Sequence, residues 1–446
     1  MTTAPPFRYE SYRLDPGRGL LSCQYSLGDR QFEERVTFAT DGRWDDPAVA
    51  EAARLVFLLA GVSYYKTAAP PVIDLGQTAV SDSERRFLRA FYLDGLGEFA
   101  YRNNLDLSGL HIDGPERPSA SAQPATRDWR TVAPTRPLVP FGGGIDSIVT
   151  VEHVRHLADA ALFIMSRPGD RFDAIEAPAA VTGLPIVRAG REIDPQLLRS
   201  RELGFLNGHV PVTGILSAIA VMAAALDGRD AVVMSNEWSA SIPTLEVDGR
   251  PVNHQYSKSA TFEAAFRSVL AATLGERLIY FSALRPFTEL WVAQRFAELT
   301  QYHDTFRSCN HAFHLDPALR LDHWCGRCDK CCFIDLILAP FLTAADLTRI
   351  FGGHEPLADD TLAGKFRALL GTLPDSKPFE CVGEIGECRA AALLAARRPD
   401  RAGTGLLQRL AAEVAGMPDL PAAAQLLRPV GEHFIPDSYA PQDLLV

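Results

Sequence analysis

The sequence predicts an α/β protein. A parallel sheet with helices on both faces is preceded by an N-terminal α+β part and followed by a mainly helical C-terminal region. Three observations predict it. From Pro137 onward, short apolar runs alternate with longer helical stretches, the texture of strands buried on both faces. Before that point, residues 7–38 alternate polar and apolar in short runs broken by PGRG and LGDR, which reads as a pair of β-hairpins. After Phe341 the chain turns Ala/Leu-rich and helical. A length of 446 residues exceeds one small core and suits two or three domains. The texture divides the chain at 1–130, 131–308 and 309–446.

The elements follow in order. Residues 46–61 and 82–103 read as helices, the second opened by SDSERRF, with a serine cap and early acids. The stretch GPERPSASAQPATRDWRTVAPTRP is rich in Pro, Ser, Ala and Thr and reads as a linker, with a boundary near 115–135. Five strands then follow: LVPF (138–141), ALFIM (161–165), LPIVRA (184–189), AVVMSN (231–236) and LIYFSAL (278–284). Ligands on such a sheet sit at the carboxyl ends of the strands. The glycine loop after the first strand, Ser166, Asn236 and Arg285 all lie just past strand ends, so one cleft can collect them.

Composition removes some classes of function. Hydrophobic residues make up 47% and charged residues 22%, as in an ordinary globular protein. The formal net charge of -11, without a long Lys/Arg run, disfavours a large nucleic-acid partner. The opening MTTAPPFRYESYRLD lacks the apolar core of a secretion signal. The most apolar stretch, Val210–Leu226, is Ala-rich, sits at the short limit of a membrane span and reads as a buried helix. A cytoplasmic protein acting on a small molecule, with no membrane partner, is expected. The oligomeric state is not legible.

VPFGGGIDSIVT, Val139–Thr150, runs from an apolar strand through three glycines into a helix. Glycines let the backbone approach an anion, and the amides of a helix start supply donors and the positive dipole end. Gly142, Gly143 and Gly144 therefore read as a phosphate loop, with the Ser147 hydroxyl as a further donor. Asp146 would hardly face bare phosphate; it orients the loop or helps to hold Mg²⁺. Asn236 and Glu237, after the AVVMS strand, read as contacts to ribose, Mg²⁺ or substrate, with helix capping an equal alternative.

Eight cysteines are present, four of them crowded into Cys325–Cys332. Tight C-x2-C-x2-C turns aim sulfurs at one point, so Cys325, Cys328 and Cys331, with Cys309 as the fourth, read as a structural tetrahedral zinc site. His311, His314 or His323 in place of a sulfur, and an iron–sulfur cluster, are the alternatives. Cys332 and Cys23 read as packing residues. His209 and His303 read as ordinary polar partners.

The run Gly142-Gly143-Gly144-Ile145-Asp146-Ser147 resembles the SGGxDS signature of the PP-loop ATP pyrophosphatases, with Gly142 where serine is usual. Those enzymes cut ATP between the α- and β-phosphates. SALRPFTELWVAQRF, Ser282–Phe296, is similar to the late PxxxLxxxEV-type segment of that group, with Arg285 and Glu289 as its polar members. Along most of its length the chain resembles one branch, the glycopeptidyl-glutamate epimerases of peptidoglycan synthesis. The matching segments are PFGGGIDS, NHQYSKS (253–259), WCGRCDKC (324–331) and KPFECVG (377–383). The deazaguanine nitrile synthases share a similar cysteine pattern, but their chains are shorter and lack the N-terminal region. A nucleotide-binding module without catalysis is the rival of another class.

The resemblance implies an ATP-dependent epimerase that inverts the terminal L-glutamate of a UDP-N-acetylmuramoyl dipeptide, with ATP bound by Gly142, Gly143, Gly144, Asp146, Ser147, Ser166 and Asn236. An α-hydrogen beside a free carboxylate resists removal, because a second negative charge would form beside the first. Linking that carboxyl to AMP cancels its charge and makes the carbonyl an electron sink. Inversion then needs an acid and a base on opposite faces, or one group reaching both. Cys381 in KPFECVGEIGEC ranks first, with His254, Lys258 and Glu380 as the other candidates. Lys258 also suits a phosphate or the glutamate carboxylate, and Arg285 suits the charge of the adenylate.

Overall fold

The computed structural model describes residues 5–118, 128–247, 249–373, 382–418, 420–441 and 444. Among these residues the strands are β1 Phe7–Asp15, β2 Leu20–Leu27, β3 Arg30–Thr37, β4 Val72–Asp74, β5 His111–Asp113, β6 Pro137–Pro140, β7 Ala161–Ser166, β8 Ile186–Glu192, β9 Ala231–Met234, β10 Leu245–Val247, β11 Arg250–Val252 and β12 Ile279–Ser282. All except the β10–β11 hairpin join one sheet, in the order β12-β9-β6-β7-β8-β3-β2-β1-β4-β5. The large sheet is mostly parallel, as the apolar runs predict.

The five predicted strands appear as β6, β7, β8, β9 and β12, all paired in parallel. Residues 7–38 form the three-stranded antiparallel meander β1-β2-β3. The meander does not stand apart. Strand β3 pairs antiparallel with β8, from Arg35 opposite Glu192 to Thr37 opposite Gly190. Across that seam Arg191 grips Glu34 with two nitrogens, at 2.8 and 3.1 Å, and the Tyr64 hydroxyl donates to the same carboxylate at 3.0 Å. A buried pair with its hydrogen bonds satisfied adds little net stability, but it penalises any slipped register that would strand one charge.

Each face of the sheet carries its own core. One takes Phe7, Tyr9, Tyr25 and Phe57 from the N-terminal part, with Ile219, Met222, Phe262 and Phe266 from two helices of the later sequence, Val212–Leu226 and Ala260–Leu274. It therefore draws residues from both sides of position 130. The other joins the helices Ile145–Val154 and Glu289–Ala297 to the helical C-terminal region. The helical stretch Pro47–Tyr65 has the length and apolarity of a membrane span, yet most of it is buried within the protein. Val212–Leu226 is a buried helix, as its composition implies.

The helix expected over 82–103 is two helices, Asp82–Leu93 and Gly97–Arg102. The break has a steric reason. A Cβ on Gly95 would lie 2.2 Å from the Phe91 carbonyl oxygen and 2.7 Å from Pro211, so the chain turns where only glycine fits. The second helix thereby leaves the line of the first and carries Glu98 into the interior.

Candidate active site

Strand β6 leads to β7 and β8 on one side; the chain then returns to β9 and β12 on the other. The crevice beyond the carboxyl ends of β6 and β9 is the topological switch point of the sheet, where ligands of open α/β sheets bind. The glycine loop occupies one wall and Asn236-Glu237 the other. Gly143 has φ +76°, and a Cβ there would lie 2.2 Å from the Ala174 carbonyl oxygen, so this position demands glycine twice over. Gly142 has open space around its Cβ direction. The helix Ile145–Val154 begins immediately after Gly144, which leaves its first amides and its positive dipole end at the crevice.

Carboxylate oxygens of Asp146, Glu237 and Glu289 lie within 4.8 Å of one another. They come from three separate places: the first turn after the loop, the exit of β9, and the first residue of the helix Glu289–Ala297. Glu237 and Glu289 are buried. Burial, then the charges of Asp146 and Glu237, hold the Glu289 carboxyl well above the ordinary range, and Lys330 pulls in the opposite direction. Crowded, desolvated carboxylates of this kind suit a hard, oxygen-seeking dication such as Mg²⁺.

A carboxyl that sequence reasoning passed over closes the back of the site. Glu387, in the helix Ile385–Ala396, accepts hydrogen bonds from the Ser239 hydroxyl and from the Leu290 amide, the latter at 2.9 Å. Burial pushes its carboxyl up to about 8, against those two hydrogen bonds. The start of its helix sits in KPFECVGEIGEC, the stretch already marked for its turns, but nothing local distinguishes Glu387 from Glu384. Gly383 in the same stretch packs where a Cβ would lie 2.8 Å from the Phe333 ring and 3.6 Å from the Glu289 Cβ. Cys381 and Glu380 lie outside the described residues.

Several expected ligands have structural partners. Arg285, expected at the adenylate, is 1% exposed, and its donors are directed inward: Nε to Glu263 at 2.7 Å, Nη1 to the Glu237 carbonyl at 2.9 Å, Nη2 to the Lys258 carbonyl at 2.6 Å. A guanidinium committed to a buried carboxylate and two carbonyls positions loops. The Glu263 carboxylate also accepts from the Ser282 amide at 2.9 Å, and the Ser282 hydroxyl accepts from the Asn236 amide and donates to its carbonyl. Ser147 donates its hydroxyl to the Gly144 carbonyl at 3.0 Å, bracing the loop. The Ser166 hydroxyl closes its own turn on the Asp170 carbonyl at 2.9 Å. Lys258 donates to Gln255 at 3.0 Å, and His254 contacts Glu98 through Nδ1.

The sulfurs of Cys309, Cys325, Cys328 and Cys331 converge within 4.8 Å, and all four atoms belong to cysteines, as the spacing predicts. Cys331 lies 3.6 Å from Cys325 and 3.4 Å from Cys328, and the amides of Arg327 and Cys328 donate to the Cys325 sulfur. Amide donors toward a sulfur stabilise a thiolate, so the donor set fits a tetrahedral dication. His323 pairs instead with Asp322, and His314 accepts from the Asp316 amide. Cys332, Cys23 and Cys388 are buried elsewhere. Lys330 lies between two of the converging cysteines, so the same knuckle that gathers the sulfurs delivers a cation toward Glu289.

Two family models match the chain: the MurL N-terminal domain over residues 1–283 and the MurL C-terminal domain over residues 305–425. The chain belongs to the MurL family. A relative from Xanthomonas oryzae pv. oryzae is 39% identical over 440 residues, covering 96% of this chain and 95% of that one. One from Salinispora tropica is 39% identical over 453 residues, and one from a Micromonospora species 38% over 446, each covering 97% of this chain. All three carry the name UDP-N-acetyl-alpha-D-muramoyl-L-alanyl-L-glutamate epimerase. In this MurL-family chain the N-terminal match contains the glycine loop, Asp146 and Glu237. The cysteine knuckle belongs to the C-terminal match, as does Glu387. Arg285 and Glu289 lie between the two, at their seam.

Proposed function

We propose that this protein inverts the terminal L-glutamate of UDP-N-acetylmuramoyl-L-alanyl-L-glutamate to the D form, with ATP converted to AMP and pyrophosphate, in the cytoplasmic stage of peptidoglycan synthesis. The names of the relatives support the epimerisation. For the ATP-dependent route, the carrying observation is the convergence of Asp146, Glu237 and Glu289 beside the glycine loop at the switch point. A loop of amides without a lysine suits a departing diphosphate, as in PP-loop pyrophosphatases, and the three carboxylates suit the Mg²⁺ that accompanies it.

The substrate's α-carboxylate attacks the α-phosphorus of ATP, and the bond to the β,γ-diphosphate breaks. The loop amides and the dipole of the helix Ile145–Val154 receive the negative charge of the leaving group. Lys330, beside Glu289, adds positive charge on the side of the carboxylates. The acyl-adenylate has lost the carboxylate charge, so the α-proton can leave as its electron pair moves into the carbonyl. A proton returns on the opposite face, and water cleaves the anhydride to give AMP. Arg285 keeps Glu237 in place throughout. Zinc on Cys309, Cys325, Cys328 and Cys331 would be structural, since four sulfurs leave no open position.

The test is incubation with ATP, Mg²⁺ and the L-glutamate substrate in D₂O. AMP and pyrophosphate should form together, and deuterium should appear at the glutamate α-carbon. Formation of ADP, or inversion without ATP, would remove the adenylate route. Replacing Glu289→Gln should raise the Mg²⁺ needed for half-maximal pyrophosphate release at least about tenfold; an unchanged Mg²⁺ requirement would remove the carboxylates from that role.

A further inference from the structure

A second convergence of ionisable side chains lies beside this site, and the activation chemistry does not use it. Glu98, buried in the helix Gly97–Arg102, meets Nδ1 of His254. The rings of His254 and His209 lie with centroids 4.2 Å apart, and one polar atom from each of Glu98, His209 and His254 falls within a 4.8 Å group. Three distant parts of the chain supply them. The bend at Gly95 turns Glu98 inward, the loop before Val212–Leu226 carries His209, and the turn after β11 carries His254.

The cluster adjoins the switch point. Arg285 bridges the carbonyls of Glu237 and Lys258 with neighbouring nitrogens, so the 253–259 segment and the exit of β9 are held one guanidinium apart. Asn253 donates to the Ala240 carbonyl at 2.9 Å, three residues after Glu237. On its other side the chain leading to His254 lines a cavity of about 790 Å³ with Pro251 and Val252, opposite Gly97 and Tyr101. That volume has room for a bulky substrate.

Cationic side chains lie around the cluster. Lys66 donates to the Asn207 side-chain oxygen at 2.9 Å and the Gly208 carbonyl at 3.0 Å, the two residues before His209, and among the described residues it meets no carboxylate. Arg102 approaches Glu98 at 2.5 Å. Burial, followed by the neighbouring His254 and the positive charges of Lys258 and Lys66, pulls His209 down to about 4, against the opposing pull of Glu98, so its imidazole stays neutral. Lys66 and Lys258 thus act on His209 and Arg102 on Glu98, while Arg89, Asp94 and Asp106 line the adjoining cavity. Lys66 offers a cation to a substrate carboxylate there.

We propose that this cluster receives the glutamyl end of the substrate: Lys66 takes the carboxylate that is not activated, and His254, held at Nδ1 by Glu98, moves the α-proton through Nε2. The proposal rests on the adenylate reading above. Nε2 takes the proton from the α-carbon, and the C–H electron pair enters the carbonyl of the acyl-adenylate. The pair returns to carbon when a solvent-exchangeable donor on the opposite face delivers a proton. His254 is then a catalytic residue and Glu98 a positioning residue. Glu98 sets which imidazole nitrogen carries the hydrogen and where the other one points.

The experiment measures first-turnover pyrophosphate release and α-deuterium incorporation separately, with ATP, Mg²⁺ and the L-glutamate substrate in D₂O. His254→Gln should keep releasing pyrophosphate while label falls at least about 100-fold, in the range of a lost acid–base group. Glu98→Gln should lower label about tenfold with pyrophosphate release retained, a split that a merely structural role would not produce. Lys66→Gln should raise the KM for the dipeptide substrate about tenfold and leave the KM for ATP in place. This variant, remote from the Glu98–His254 contact, decides the matter if His254→Gln does not fold. Label at the parent rate in His254→Gln overturns the proposal, as does loss of both signals from a folded variant. A drop from two bound transition-metal ions to one in His254→Gln makes the cluster a metal site and also overturns it. If the parent itself releases no pyrophosphate, the adenylate reading falls first.

Discussion

Arg285 and Glu263 meet at 2.7 Å with each side chain 1% exposed, and this pair locks the loop after β12 to the helix Ala260–Leu274. Removing one partner strands a buried charge, which costs about 3–5 kcal/mol. Arg285→Ala and Glu263→Gln should each lower the unfolding free energy by that order in urea titrations. A variant at either position that unfolds like the parent, yet binds ATP weakly, would return Arg285 to the nucleotide.

Gly142 and Gly143 should respond oppositely to a side chain. Gly143→Ala meets the Ala174 carbonyl and adopts φ +76°, a region that costs about 1–2 kcal/mol before the collision is counted. Its unfolding midpoint and pyrophosphate release should both fall. Gly142→Ser, which restores the residue usual in the signature, enters open space and should leave stability unchanged. Its hydroxyl adds a donor at the loop, so the KM for ATP should stay level or decrease. Steady-state kinetics and thermal melts check both.

Glu387 makes stability fall as pH rises. Its folded proton affinity is raised from the ordinary 4.5 to about 8, so folding favours the protonated form. The contribution is complete below about pH 4.5 and is lost between there and about pH 8. Unfolding free energies measured across that window should decline more steeply for the parent than for Glu387→Gln. Equal slopes would show that the carboxyl is already ionised in the folded state.

Adjacent cysteines should differ in their hold on metal. Cys331 belongs to the converging sulfurs, whereas the thiol of Cys332 is buried against the helical core. Cys331→Ala should lose zinc, measured by elemental analysis of purified protein, and should melt at lower temperature because structural zinc contributes folding energy directly. Cys332→Ala should keep the metal and lose only about 1 kcal/mol of packing.

The features legible in the linear chain are those that local chemistry dictates. The five parallel strands announce themselves as short apolar runs because both faces of each are covered. The loop is readable because one of its positions, Gly143, takes a backbone path that only glycine permits. Three of the sulfurs are readable because two tight turns aim them together, whereas Cys309 joins them from 16 residues earlier. What the linear chain does not contain is which remote residues share a place. Asp146, Glu237, Glu289 and Glu387 converge only because the order of the sheet puts β6 beside β9 and the helices over them. Glu98 reaches His254, 156 residues away, only because Gly95 breaks a helix that looks continuous in composition. Arg285 stands out in its motif, but its buried partners Glu263, Glu237 and Lys258 are set by the fold. Composition and spacing thus determined the kinds of element and the local sites, since these depend on neighbours a few bonds apart. Tertiary structure alone decided the partners of each charge, since a carboxylate's role depends on what is brought within a few ångströms of it and on how much water is left.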